Sequence, residues 1–150
     1  MGPEHIAVVL GLGGIVFAQQ SEFQDKIQED LDGYKTQFVD NCGSSKSLVL
    51  KWNGKLAVNP RESEKPDWNA VSTLCTSALE GTVGACQSNK PVKAAIGKVS
   101  TVICTMGKGT IAHKLAGNTL TFTVDPSFVK NNAAGQRDDL VVKLKKDIDK

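Results

Sequence analysis

Four cysteines are the residues of this chain whose type and number point most directly to chemistry. Cys42, Cys75, Cys86 and Cys104 form an even set, without a C-x-x-C pair and with only two histidines in the chain. Zinc sites use closely spaced ligand pairs, so this spacing does not indicate a metal site. In an oxidising compartment the cysteines would form two disulfides, whereas in a reducing one they would stay as buried thiols. We predict the two disulfides.

His113 is the second candidate, because a histidine can bind a ligand or transfer a proton near neutral pH. No neighbouring motif supplies it with a carboxylate or a nucleophile. The glycine-lysine segments at 96–100 and 107–110 lack the spacing of a phosphate-binding loop, and no nucleophile elbow is present. We therefore expect a structural histidine, in a protein that is not an enzyme and holds no metal or cofactor. The alternative is a small-ligand carrier or hydrolase with a pocket around His113.

Charge is unevenly distributed along the chain. Residues 82–123 hold five lysines and no acid, whereas residues 22–40 hold six acids and two lysines. The five are Lys90, Lys93, Lys98, Lys108 and Lys114. They form a candidate surface for an anionic partner, such as lipid head groups, lipopolysaccharide or an acidic protein. The segment lacks Arg, Trp and Tyr, so no nucleic-acid partner is expected, and we favour a structural role in which acidic and basic segments face each other or solvent.

The hydrophobic N-terminal stretch determines the expected compartment. Residues 6–18 carry no charge, a length that suits the core of a signal peptide and is short for a membrane span. Residues 1–18 are therefore predicted to be a signal peptide or, if retained, an N-terminal membrane anchor, with a buried helix as the third alternative. The first five residues lack the Lys or Arg of a typical leader. We expect a periplasmic or secreted protein in which residues 19–150 form a single domain.

Three amphipathic helices are predicted to position the candidate residues. They cover Phe23 to about Gly43, residues 67–86 and residues 138–150. In the first, apolar residues recur every three or four positions with acids between them. The last carries acids in its first turn and lysines later, which suits the helix dipole.

The second helix limits the disulfide pairing. If it is continuous, Cys75 and Cys86 lie about 16 Å apart along its axis and cannot bond to each other. Helix termination at Gly81 would instead let Cys86 approach Cys75. We favour Cys42 with Cys75 and Cys86 with Cys104.

Strands are predicted in two regions. Residues 48–58 have the pattern of a hairpin with the three-residue loop Trp52-Asn53-Gly54, in which Gly54 is left-handed. Residues 99–125 alternate like a three-stranded antiparallel meander with turns at Gly107-Lys108 and Gly117-Asn118. The second of these turns sets His113 opposite Phe122.

These elements predict an α+β fold stabilised by disulfides. The sheet is expected to have about five antiparallel strands, a hairpin plus a meander, with amphipathic helices packed on one face. The function expected of such a chain is that of an exported, non-catalytic binding or structural module. Its partner is not identified by the sequence, and membrane association is expected only if residues 6–18 are retained.

The predicted signal peptide can be tested by mass. We expect the mature protein to begin at Gln19, because Val16 and Ala18 occupy the two positions that a signal peptidase inspects. Intact mass of material exported by a bacterial host should lack residues 1–18. Recovery of the full-length chain in the membrane fraction would instead establish the anchor.

Overall fold

The computed structural model describes residues 12–54, 68–107, 112–125 and 133–148. Within these ranges the α-helices are α1 (Leu12–Asp32), α2 (Trp68–Ser88), α3 (Lys90–Gly97) and α4 (Ala133–Ile148). After α1, the short helical segment Lys35–Gln37 continues in a π-helical turn, Phe38–Cys42. The strands are β1 (Val49–Trp52), β2 (Thr101–Met106), β3 (Ala112–Ala116) and β4 (Thr119–Val124). The class is α+β, as predicted.

The strands form one mixed sheet in the order β1-β2-β4-β3. β1 is parallel to β2, β2 is parallel to β4, and β3 is antiparallel to β4. A parallel pair cannot be joined by a tight turn and needs a crossover, which α2 and α3 provide between β1 and β2. The predicted antiparallel sheet is therefore wrong in strand direction, because two of the three strand pairs are parallel. About five strands were predicted, and the described part of the chain contains four strands.

Two strand pairings differ from the predicted ones. β1 pairs with β2, and the second strand predicted for the 48–58 hairpin lies outside the described residues. Gly54 does not have the predicted left-handed conformation. It lies against the Trp52 indole, which a Cβ at position 54 would overlap. In the predicted meander, β4 lies between β2 and β3, so these two strands are not neighbours, and the proposed Gly107-Lys108 turn extends beyond the described residues.

The β3–β4 hairpin has the predicted register. His113 lies opposite Phe122, and Leu115 lies opposite Leu120. The turn begins at Gly117, whose φ of 59° falls in the left-handed region that glycine adopts without a steric penalty. The alternation and the glycine together were sufficient to fix this pairing from the sequence.

The free edge of β1 is bonded by a side chain. The Gln28 amide donates from Nε2 to the Leu50 carbonyl oxygen (2.6 Å), and its Oε1 accepts from the Trp52 backbone N–H (2.8 Å). Nε2 also lies 2.9 Å from the Asp32 carboxylate on the same helix. The amide of α1 therefore satisfies backbone groups that would pair with a further strand.

The first predicted helix is divided into segments. It begins earlier than expected, at Leu12, so the predicted cleavage point after Ala18 falls within α1. The α-helix ends at Asp32, before Gly33, and the chain resumes helical structure at Lys35. The predicted end is confirmed, because Gly43 has a φ of 72° and terminates the π-helical turn.

Helix α2 is continuous through both of its glycines. Gly81 does not end the helix. It is a site of close packing, since a Cβ at position 81 would lie 2.7 Å from Arg137 and from Val141 of α4. All the positions predicted for its apolar face are buried: Val71, Leu74, Cys75, Ala78, Leu79, Thr82, Val83 and Cys86. The helix therefore forms the centre of the layer that covers the sheet.

Helix α3 was not predicted, although its sequence has start signals. The Asn89 side chain accepts a hydrogen bond from Val92 N (3.0 Å), and Pro91 occupies the first turn. Helix α4 confirms the predicted C-terminal helix and begins at Ala133, five residues before the predicted start. Within the described ranges, none of the helices combines the length and apolar character needed to cross a membrane.

Two disulfides are present, as predicted, but the predicted pairing is wrong. Cys42 bonds to Cys86 and Cys75 bonds to Cys104, with Cα–Cα distances of 5.2 and 5.9 Å. Cys75 and Cys86 are not joined, as expected for a continuous helix. The predicted pairing is wrong because Cys75, in the N-terminal half of α2, lies against the sheet. Cys86, near the C-terminal end of α2, lies beside the π-helical turn. Helical spacing alone does not determine the direction of α2 over the sheet.

Tyr34 lies in a partly buried position near the contact of α2 with α4. Burial raises the pKa of its phenol above the ordinary value of 10, and the negative charge of Glu80 raises it further. Glu80 also forms an ion pair with Arg137 of α4, in which Glu80 Oε1 lies 3.5 Å from Arg137 Nη1. The pKa of Tyr34 therefore depends on its burial and on the charge of Glu80.

Tyr34 gives a pH-dependence that can be measured directly, since the chain has one tyrosine. As pH rises above 10, the unfolded chain loses the phenol proton before the folded chain does, so the free energy of unfolding falls. We expect tyrosinate absorbance in the folded protein to appear above pH 10. Glu80→Gln should lower the pKa of Tyr34, and Glu22→Gln should not; equal titration curves for all three proteins would contradict this account.

Candidate functional site

Among the described residues, one face of the sheet is covered by helices, and no described helix packs on the other. Alternate residues on the covered side are buried, including Leu50, Val102, Cys104, Leu120 and Phe122. The remaining strand residues point to the opposite side and are partly or fully exposed. We call this side the open face: Val49, Lys51, Thr101, Ile103, Thr105, Ala112, Lys114, Ala116, Thr119, Thr121 and Thr123.

The strand register arranges the open face in rows. The middle row crosses all four strands as Lys51, Ile103, Thr121 and Lys114. Three strand spacings separate the two lysines, or about 14 Å between their Cα atoms. Both lysines are exposed, and no residue of the open face is acidic. The row therefore places one cation at each edge of the open face.

Threonines supply the polar groups of this surface. They form the T-x-T-x-T run at 119–123 and flank Ile103 on β2. The Thr105 hydroxyl donates to the Asn53 carbonyl oxygen (2.8 Å). In the described part of the chain, the hydroxyls of Thr101, Thr119, Thr121 and Thr123 have no hydrogen-bond partner. They are available to a ligand.

The five lysines predicted from the sequence do not form one surface. Lys90 and Lys93 lie on α3, Lys98 follows that helix, and all three are exposed. Lys114 lies on β3 in the open face, and Lys108 lies outside the described residues. Among the residues that are described, no ion pair joins these lysines to the acids of 22–40. The described lysines of this set are thus divided between the region of α3 and the open face.

Lys51 is the residue of this surface that sequence reasoning missed. It lies outside the lysine-rich segment, so a count along the chain does not associate it with Lys114. Strand alternation contains the relevant signal. The apolar positions of each strand identify the core, and the positions between them include the threonines and both lysines.

His113 lies on β3, and its side chain reaches α4. Its side chain is 4% exposed, and Nε2 lies 3.0 Å from Asp147 Oδ2 on α4, a carboxylate that is 60% exposed. The expected apolar setting is therefore incomplete, since an acid from the C-terminal helix reaches the ring. The carboxylate accepts, so in the neutral imidazole the proton lies on Nε2. Nδ1 is then the basic nitrogen; it is buried and has no hydrogen-bond partner among the described residues.

A cleft of about 290 Å³ lies beside this pair and is lined by Ala112, His113, Lys143, Lys146 and Asp147. Its volume is at the lower limit of typical small-molecule sites, and it is open to solvent. Among the described residues that line the cleft, none carries a hydroxyl or thiol that the imidazole could activate. Across the described ranges, no three His, Cys, Asp or Glu groups come close enough together to hold a metal ion.

Comparisons of the chain with protein-family models, with curated proteins and with solved structures found no match. The interpretation of its surfaces therefore depends on their geometry and charge.

The His113–Asp147 pair can be measured by a double-mutant cycle. We expect a coupling energy below about 1 kcal/mol, because one partner is largely solvated. His113→Leu should change the free energy of unfolding only modestly, since it removes the pair together with an unpartnered buried nitrogen. Urea unfolding of His113→Leu, Asp147→Asn and the double variant tests this. A coupling of several kcal/mol, or loss of a binding activity by a His113→Gln variant with unchanged melting temperature, would show that the histidine has another role.

Proposed function

We propose that this protein is an exported, non-catalytic binding module that acts through the open face of its sheet. The observation that carries the proposal is the pairing of all four cysteines in two disulfides. Disulfides persist in oxidising compartments and are rare in the cytosol. They support a periplasmic or extracellular location for the folded domain.

The scaffold supports a binding role because its helical layer and its open face are separate. Cys75–Cys104 joins α2 to β2 from the covered side, and Cys42–Cys86 joins the other end of α2 to the π-helical turn. Neither bond occupies the open face. Rigid surfaces bind with a smaller entropic cost than surfaces that must become ordered.

The second candidate is a small-ligand carrier or hydrolase at the His113 cleft. The His113–Asp147 contact of 3.0 Å favours it, since an acid commonly orients a histidine in such sites. Two observations favour the binding module instead. The basic nitrogen Nδ1 is buried, and the cleft is open, with no nucleophile among its described lining residues.

The location and the binding role are tested together on protein purified without reductant. We expect no thiol to react with an alkylating reagent, and peptide mapping to link Cys42 with Cys86 and Cys75 with Cys104. Each disulfide should contribute roughly 2 to 4 kcal/mol to the free energy of unfolding. The oxidised protein should co-sediment with cell envelopes of the producing organism, and its reduced, unfolded form is the control.

Free thiols in the native protein would contradict the export proposal. A folded, oxidised protein that does not associate with any envelope or extracellular fraction would contradict the binding role. Turnover of a small ester or amide that His113→Gln abolishes would establish the second candidate.

A further inference from the structure

The open face combines two properties that restrict its partner. It carries Lys51 and Lys114 with no acid, so its local charge is positive although the acids of the chain are almost as numerous as its basic residues. It also presents threonine hydroxyls without a hydrogen-bond partner in the described residues. The complementary partner is anionic and rich in hydroxyl groups.

The shape of the surface favours an extended partner. Side chains along a strand recur on one face about every 6.7 Å, and strands lie about 4.8 Å apart. The threonines of β2 and β4 therefore form a regular grid, with Ile103 at its centre. An unenclosed grid of side chains can contact a chain of sugar rings along its length, whereas it encloses no small molecule.

Membranes and acidic proteins fit this surface less well. Peripheral membrane binding commonly inserts aromatic or long apolar side chains, and protein interfaces are anchored by buried aromatic residues. The open face has no aromatic residue, and its apolar members are Val49, Ile103, Ala112 and Ala116. Phe122 of β4 and Trp52 of β1 point to the covered side and are buried.

We propose that the open face binds an extended anionic polysaccharide, with Lys51 and Lys114 pairing with its carboxylates and the threonine hydroxyls bonding to its sugar hydroxyls. This inference rests on the proposed function, because such polymers are met outside the cytosol. The two lysines, about 14 Å apart, would engage separate acidic sugars of one chain. Binding then weakens as salt screens the charges.

The full-length oxidised protein can be titrated calorimetrically with polygalacturonate at low ionic strength. Dextran supplies hydroxyls without charge, and vesicles of phosphatidylglycerol in phosphatidylcholine supply charge without sugar rings. We expect heat of binding with polygalacturonate alone. The Lys51→Glu/Lys114→Glu variant should bind at least about tenfold more weakly.

Lys90→Glu/Lys93→Glu is the matched control, since it makes the same change in net charge on α3, away from the open face. Its affinity should stay within about twofold of the original. Thr119→Val/Thr121→Val keeps β-branched side chains and removes two hydroxyls, so it should weaken binding about threefold or more. Melting temperatures establish that each variant is folded.

Equal loss of affinity in both lysine variants would overturn the proposal, because it would mean that net charge alone attracts the polymer. Binding to the vesicles without binding to polygalacturonate would overturn it in favour of a membrane surface. Equal affinity for dextran would overturn the role of the lysines. These outcomes are distinct from failure of the proposed function, which is judged by free thiols and by absence from the envelope fraction.

Discussion

The bond between Cys75 and Cys104 is the constraint on which the arrangement of the layers depends. It joins the middle of the buried helix α2 to a central strand of the sheet. Since α2 also contacts α1, α3 and α4, this bond attaches the centre of the helical layer to the sheet. Cys42–Cys86 then fixes the other end of α2, so the helix is prevented from rotating or sliding over the strands. Apolar contacts alone resist such movement less strongly, because they are not directional.

The division of the sheet into a covered and an open side follows from strand alternation. In β2 and β4 every second residue is apolar and buried, and the residues between them are mostly threonine. Threonine is compatible with a strand because it is β-branched, and with solvent because of its hydroxyl. The pattern that builds the core therefore also determines the chemistry of the exposed surface. A functional hypothesis based on this surface needs the strand order, since register brings Lys51 and Lys114 into one row.

Local patterns predicted the elements well and their spatial order poorly. Helical periodicity found α2 and α4, and a glycine turn with alternating residues fixed the β3–β4 register. Strand alternation does not specify which strands are neighbours, so the parallel β1–β2 and β2–β4 pairings were missed. The disulfide pairing was wrong for the same reason, because the direction of α2 over the sheet is set by tertiary packing. Helix α3 was missed because its eight residues are too few for a clear apolar period, although Asn89 and Pro91 mark its start. Of the open face, Lys114 was a candidate for contact with an anionic partner, although a structural role was favoured, whereas Lys51 requires the fold.

The Gln28 amide on the outer edge of β1 has a consequence for self-association. An exposed strand edge is a template on which another chain can add a strand, and proteins that lack protection there can polymerise. Gln28 fills the acceptor and donor positions of Leu50 and Trp52, so a foreign strand would have to displace two hydrogen bonds before it gained any at these positions. Further growth of the sheet in that direction is thereby disfavoured. Within the described ranges, the sheet is thereby limited on the β1 side by a single side chain and not by a further strand.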